Sequence, residues 1–544
     1  MSSRIRHVGP PELVLAAGLA AAAGVIFAWG SELTFAFDEW DFLLGRLGTG
    51  ADAFLQPHFE HISIAPAVIY KSLLSVFGMD SPRPFQLVST ALLIATLALL
   101  FIYLRRRLGP WLALAGIVPL LFFGPAWDNV LWPFQMAFMG SMASGLGALL
   151  ALDRGDRPGD LVGCALLTVG MTFSSLWLPF AIGAAVHVLT GERRRQRIFV
   201  FAVPVLLYGL WWLGWGREAE SVVSFNNLAT IPQYVLDGLS SSISSLLGLE
   251  AFKEDTESIA LDWARPLLIV LGALVALRLR RLGTVPRGVW VTTAILLSFW
   301  ILSAANANFF RHPTAHRYQL IGAVLLLLVA ADVWRGTRPR PAAVGVALAV
   351  AVAAAVGNFV LLHREWETFR DFGQVERGEL AAVELARDGI DPQLVLSSGV
   401  AGAAIYGNAG LYLEAADAYG SPAYTADELA ASSERARAAA DRTFAVAHGL
   451  GFEPAAQPAP ARCLRSPGNG AAPRVLDLPP GGIVLELGRG GGRARLRRYA
   501  SEEFPVELGA VPAGASRLAI PVDRSDVPWE LELVADGPVS VCRL

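Results

Sequence analysis

Between Phe35 and His61 the chain reads FAFDEWDFLLGRLGTGADAFLQPHFEH, and four acids, Asp38, Glu39, Asp41 and Glu60, stand there between two long apolar segments. A carboxylate can act as a general base when desolvation and neighbouring acids lift its pKa toward the working pH. Asp38 and Asp41 are three residues apart, so a helical turn after Thr34 would place both on one face and send Glu39 elsewhere. The bland alternative is a solvated loop with helix-capping acids. An acid at mid-bilayer costs about 2.5–3.5 kcal/mol even on the lenient insertion scale. The stretch is therefore expected in a loop at the membrane surface, with Trp40 and Phe42 resting at the headgroup level.

At the end of the same stretch, His58, Glu60 and His61 raise the question of a metal, since two imidazoles three apart can share a helix face. One turn of HFEH with no further ligand is more often a hydrogen-bonded loop. No metal ligands are assigned, and dependence on a divalent metal stays open.

The elements that must position these groups are membrane spans. A hydrophobic share of 54% with 17% charged residues over 544 residues is too apolar for a soluble protein of this length. Nothing in the composition points to nucleic acid. Runs long enough to span fall near 11–30, 84–104, 111–126, 133–152, 161–174, 178–190, 198–214, 264–280, 288–304, 317–333 and 342–362, an expectation of about eleven transmembrane helices. Residues 62–77 are apolar but interrupted by Pro66 and Lys71, and read as a helix lying at the outer interface. With the N-terminus cytoplasmic, the loops around 4–6, 105–107, 154–157, 193–197, 278–287 and 335–340 hold eighteen Arg. The opposite side of residues 1–362 holds eight basic residues, Arg46, Lys71, Arg83, Arg217, Lys253, Arg265, Arg311 and Arg317. An odd number of spans then puts the acidic loop and the C-terminal third outside the plasma membrane. Also outside are a loop at 214–263 with a surface helix at 231–249, the polar run 306–318, and a small loop with Asp128 and Gln135.

Three regions follow: a transmembrane domain at 1–362, an extracytoplasmic helical segment and Pro-rich linker at 363–460, and a β module at 461–544. Helical spacing continues to Gly389 and recurs from Thr425 to Ala447. Six β-type runs, GIVLELG, RARLRRYA, FPVELGAV, SRLAIPV, WELELVADG and PVSVCRL, alternate with Gly/Pro turns and read as a small sandwich or jelly roll. The fold class is thus a polytopic α-helical membrane protein with an extracytoplasmic α+β region. In that compartment a Cys463–Cys542 disulfide would tie the linker to the last strand. Arg493, Arg495 and Arg497 give one strand a basic face, read as a charged edge strand or as a contact for an anionic polymer or headgroups. GRGGG at 488–492 joins two strands and is no nucleotide motif.

Residues 58–109, HFEHISIAPAVIYKSLLSVFGMDSPRPFQLVSTALLIATLALLFIYLRRRLG, with Asp38-Glu39 before them, resemble the early region of GT-C superfamily glycosyltransferases, such as protein O-mannosyltransferases and the lipid A aminoarabinose transferase. The counterparts here are Asp38-Glu39, His61, Pro66, Phe77-Gly78, Arg83 and Arg105 to Arg107. The family's His-Pro-Pro is replaced by His61-Ile62-Ser63, and its aromatic, Arg-containing motif by Trp127-Asp128-Asn129. The resemblance implies an inverting transfer from a polyprenyl-phosphate sugar to a glycan or protein hydroxyl, outside the cytoplasm, by an enzyme in contact with membrane lipid. Asp38 or Asp41, with Glu39 beside them, would take the acceptor proton. Arg317 and Arg311, with Lys71, Arg83 and Arg265 near the same level, would hold the donor phosphate. Each cation could instead snorkel to headgroups. Substrate contacts are expected from His58, Glu60, His61, Trp40, Asp128, Gln135, His316 and Tyr318. The competing functions are a transporter or lipid flippase, which would need polar or broken spans at the midplane, and an inactive relative serving as an envelope scaffold.

Overall fold

A computed structural model describes residues 9–219, 223–252, 261, 263–397, 404–456, 463–466, 473–535 and 537–543. Arg4, Arg6, Lys253 and the end of the expected linker, 457–462, lie outside the described residues. By its internal contacts the chain divides into two compact units. The first comprises residues 1–32, 48–72 and 83–368, and the second 33–47, 73–82 and 369–544. Two short pieces of the stretch between helices Pro10–Gly30 and Arg83–Leu108 thus belong with the C-terminal half, which the colinear sequence boundaries do not anticipate.

The first unit is helical. Among the described residues, six helices are long and apolar enough to cross a membrane: Pro10–Gly30, Arg83–Leu108, Pro133–Leu152, Arg287–Ala305, His316–Val333 and Pro341–Leu385. A pair, Pro110–Leu120 and Gly124–Leu131, bent by 59°, makes a seventh if counted as one broken span. The chain is a multi-pass membrane protein. The break has a local cause, since Pro119 and Pro125 remove backbone donors and a helix cannot run straight through them. At the break, Gly124 must be glycine, because a Cβ there would stand 2.5 Å from the backbone of Asn358 and Leu362.

The other expected spans are also helices. Arg157–Phe173, Trp177–Leu189 and Phe199–Gly214 have 17, 13 and 16 residues, while Ala264–Leu282 ends in RLRRL. Among the described residues six or seven spans therefore satisfy length and apolarity together. Ile64–Phe77 and Phe225–Leu246 appear where interfacial helices were expected. The last span does not stop where the composition changes. Pro341–Leu385 is one helix of 45 residues, because no proline interrupts it and helical spacing carries on past Leu362. The boundary between the units falls within it, after Thr368.

The second unit has eleven strands among its described residues. A hairpin pairs β1 (Val395–Ser397) with β2 (Ala404–Asn408). The remaining strands are β3 (Phe452–Pro454), β4 (Cys463–Ser466), β5 (Arg474–Leu478), β6 (Ile483–Leu487), β7 (Gly492–Arg497), β8 (Val506–Val511), β9 (Gly514–Leu518), β10 (Trp529–Ala535) and β11 (Val539–Arg543). They form an antiparallel four-stranded sheet, β5-β10-β7-β8, and a five-stranded one, β3-β9-β6-β11-β4. The alternating apolar positions of both sheets, Leu485, Leu487, Ala494, Leu496, Leu531 and Leu533 among them, share one buried core. Ala381, Ala382 and Ala386 at the end of the long helix, and Ala440 and Phe444 on helix Glu434–Ala447, close the same core. The helical segment and the β module are one body.

Two readings of this region change. The strand with Arg493, Arg495 and Arg497 is not an edge, because β7 lies between β10 and β8. Two of its three arginines are paired across the sheet, Arg497 with the opposite Glu530 at 2.6 Å and Arg495 with Glu507 at 2.8 Å. The disulfide joins Cys463 to Cys542, but strand to strand, since the two are direct partners of β4 and β11.

Candidate functional site

Of the four acids, Asp38, Glu39 and Asp41 lie in the second unit and Glu60 in the first. Phe37 has a left-handed backbone, φ 52°, and its ring stacks on Phe369 and Phe372. A short helical turn follows and passes into a π-turn at Asp41–Gly45, so Asp38 and Asp41 do lie one turn apart. Glu39 points inward and accepts the backbone N–H of Ala36 at 3.0 Å. Asp41 accepts from Arg46 Nε at 3.1 Å. The expectation that Trp40 and Phe42 rest among lipid headgroups is corrected: both are buried within the protein. Trp40 donates its indole N–H to Glu376 at 2.6 Å and meets Tyr412 edge-on. A hydrogen-bonded indole in a protein interior has no reason to seek the interface.

In the first unit, HFEH is a tight turn and not a helix. His58 and His61 exchange both backbone hydrogen bonds at 2.9 Å, with Phe59 at φ 50° between them. A bulky residue with positive φ is strained and persists only where its surroundings fix it. Those surroundings are aromatic. Trp211 donates to Leu55 O at 2.7 Å and Trp215 to Asp52 at 2.8 Å, Ile62 is buried with Trp177 and Trp211, and His58 stacks edge-on to Phe134. The two imidazoles therefore do not share a helix face, and among the described residues no group of three or more His, Cys, Asp or Glu could hold a metal ion.

This turn presents Glu60 to Arg311, which donates through both Nη atoms, the second at 2.9 Å. Arg311 is positioned by its own loop. Tyr234 donates to its carbonyl at 3.1 Å, Asn227 donates to Ala305 O and Ala307 O, and Ser241 and Gln319 both donate to Pro313 O. Burial pushes the Glu60 carboxyl up, but His61 and Arg311 outweigh it and hold it below its usual value. Burial likewise drives His61 down, to about 4, against the opposing pull of Glu60 at 3.5 Å and with the help of Arg311, His58 and Arg317. The imidazole is neutral at pH 7, and its buried Nδ1 has no hydrogen-bond partner among the described residues.

Glu60, His61, Arg311 and Tyr318 wall a cavity of about 290 Å³, completed by Phe138, Ser175, Tyr208, Trp212, Phe299 and Asn306. The volume lies near the lower end for small-molecule sites. Next to it, Arg317 and His316 open helix His316–Val333. His316 Nδ1 lies 2.9 Å from Pro125 O. Arg317 is half-buried and makes no hydrogen bond or ion pair with a described residue, although its field reaches both His61 and Asp128. Asp128 is buried, accepts from the N–H of Asn129 at 2.8 Å, and belongs to a cluster in which Asn129 also donates to Gln135 at 3.0 Å.

The other expected cations are placed apart from this cavity's lining. Lys71 donates to Gly48 O at 2.6 Å, Arg265 is paired with Asp237 at 2.6 Å, and Arg83 starts its helix at an exposed position. Sequence reasoning missed Tyr208, Ser175, Trp212 and Asn306, which lie in or beside apolar helices and carry no motif. It also missed Glu365, a buried acid within electrostatic reach of His316 and Asp128.

No family model matches this sequence, and no curated protein does. Among solved structures the chain is similar to ArnT from Cupriavidus metallidurans bound to undecaprenyl phosphate, at 12% identity and a TM-score of 0.47 over 77% of this chain and 86% of that one. It is also similar to the arabinosyltransferase EmbB from Mycobacterium smegmatis, at 11% identity and a TM-score of 0.39, where it spans 65% of that chain's length.

Proposed function

We propose that the protein is a GT-C type glycosyltransferase that moves a sugar, with inversion, from a polyprenyl-phosphate donor to an acceptor hydroxyl of the cell envelope on the extracytoplasmic side. In the reaction a carboxylate takes the acceptor's O–H proton, the acceptor oxygen bonds to the anomeric carbon, and the bond from that carbon to the phosphate oxygen breaks. The phosphate departs with the electron pair, so a cation must meet it. The observation that carries this reading is Arg317, half-buried, with no hydrogen-bond or ion-pair partner among the described residues and next in sequence to Tyr318 of a cavity whose own guanidinium, Arg311, is already neutralised by Glu60. An unpaired guanidinium at such a place suits a phosphate. His61, neutral and with a free Nδ1, can hydrogen-bond the sugar without adding charge. The eleven-span count, the external C-terminus and the role of the β module belong to this proposal as well.

Asp38 is assigned the proton from the motif it shares with the family. A second reading gives it to Asp128, because Asp128 is buried in the same unit as Arg317 and lies in its field. The test is to supply the purified protein with a panel of radiolabelled polyprenyl-phosphate sugars and an envelope extract, and to follow release of polyprenyl phosphate. Release that depends on the extract supports the proposal. A protein that consumes no donor, yet moves labelled polyprenyl phosphate between leaflets of a vesicle, would be the flippase.

A further inference from the structure

Helix Arg287–Ala305 begins at a second cavity and ends at the first. Nineteen residues at 1.5 Å each put about 28 Å between them, close to the thickness of a bilayer's hydrocarbon. The second cavity, about 390 Å³, is lined by Arg106, Arg107, Arg197, Arg287, Arg335 and His187. These come from different places in the sequence: the last turns of Arg83–Leu108 and Trp177–Leu189, the short helix Arg194–Arg197, the first residue of Arg287–Ala305, and the loop after His316–Val333.

The charges there do not cancel. Arg107 is held by Asp332 at 2.7 Å and Asp153 at 3.1 Å, with its guanidinium over the Tyr103 ring. Arg197 is held by Asp160 at 2.6 Å. The other three have no carboxylate partner among the described residues. Arg106 reaches only Leu150 O, at 3.4 Å, Arg287 spends its Nε on Thr190 while its buried Nη2 has no partner, and Arg335 bonds to nothing described. Arginines that merely snorkel splay separately into water. Here helix ends far apart in the sequence bring them to one concave site, with two arginines fixed and three left over.

We propose that this cavity binds a phosphate-bearing anion, through bidentate contacts from Arg106, Arg287 and Arg335, at the end of the helices opposite the Glu60–Arg311 cavity. A basic pocket between spans at the hydrocarbon boundary suits an anionic headgroup, and the same donors suit a soluble phosphate compound. The proposal does not depend on the chemistry assigned to the other end.

The experiment uses the full chain in nanodiscs of zwitterionic lipid and reads the thermal midpoint. One arm adds inorganic pyrophosphate, and the other replaces part of the lipid with phosphatidylglycerol. A rise in the lipid arm alone identifies a headgroup, and a rise with pyrophosphate identifies a soluble phosphate. Arg106→Gln, Arg287→Gln and Arg335→Gln should each weaken the effective ligand by about fivefold. Arg106 and Arg335 are exposed, so those two variants should fold. Arg195→Gln, exposed and outside the cavity, should leave the response unchanged. No rise in either arm, or an equal rise in the triple variant, overturns the proposal.

Discussion

Glu60 and Arg311 are 251 residues apart in the chain and form a two-pronged ion pair in the wall of one cavity. Each is mostly shielded, at 26% and 13% side-chain exposure, so removing one partner leaves a charge in poor contact with water. Arg311→Ala and Glu60→Gln should each destabilise the protein by about 2 kcal/mol. The double variant should lose much less than the sum. Simple additivity in thermal or denaturant unfolding would mean that the pair does not hold the cavity together.

The disulfide offers an independent check. It closes a loop of 79 residues between β4 and β11, and in the chain-entropy model such a crosslink is worth about 4 kcal/mol. Reduction, or Cys463→Ser, should therefore lower the unfolding midpoint of the second unit. Free thiols at both positions in non-reducing mass spectrometry of the native protein would contradict the pairing.

His61 gives a pH prediction. Its folded pKa is depressed from 6.5 to about 4. Between those values the unfolded chain binds a proton that the folded chain refuses, so its contribution to stability is complete above pH 6.5 and is lost as the pH falls toward 4. In isotope-labelled protein the His61 ring should remain neutral at pH 5.5. A titration midpoint near 6.5 would show that the ring is solvated, and the sugar-binding role would lose its basis.

Much of this was readable from the sequence, for definable reasons. All six β-type runs became strands because alternation of large apolar residues with charge admits one buried face. β1 to β5 were not among those runs: VLS, FEP and CLRS, at three or four residues, are too short to alternate, and FEP and CLRS flank a Pro-rich run. Trp40 was misplaced because an aromatic beside acids at the end of a span looks interfacial, and only the distant Glu376 and Tyr412 reveal its burial. The same limit hid the cavity. Arg311 and Glu60 were each visible as polar residues in loops between apolar runs, but nothing local in either says that they meet. Of the eleven apolar runs, six helices, or seven with the bent pair, are long and apolar enough to cross among the described residues, while Trp177–Leu189 and Phe199–Gly214 have 13 and 16 residues.

The central claim is that a carboxylate activates the acceptor while Arg317 holds the donor phosphate, and the direct measurement is transfer from a polyprenyl-phosphate sugar in membranes, with variant levels matched. Asp38→Asn should lower the maximal rate by about 10²–10⁴-fold with little change in donor KM. Arg317→Ala should instead raise donor KM, and Arg317→Lys should recover part of the loss. Undiminished transfer in Asp38→Asn together with loss in Asp128→Asn would move the base to Asp128. Undiminished transfer in Asp38→Asn, Asp41→Asn, Asp128→Asn and Arg317→Ala alike would contradict the account.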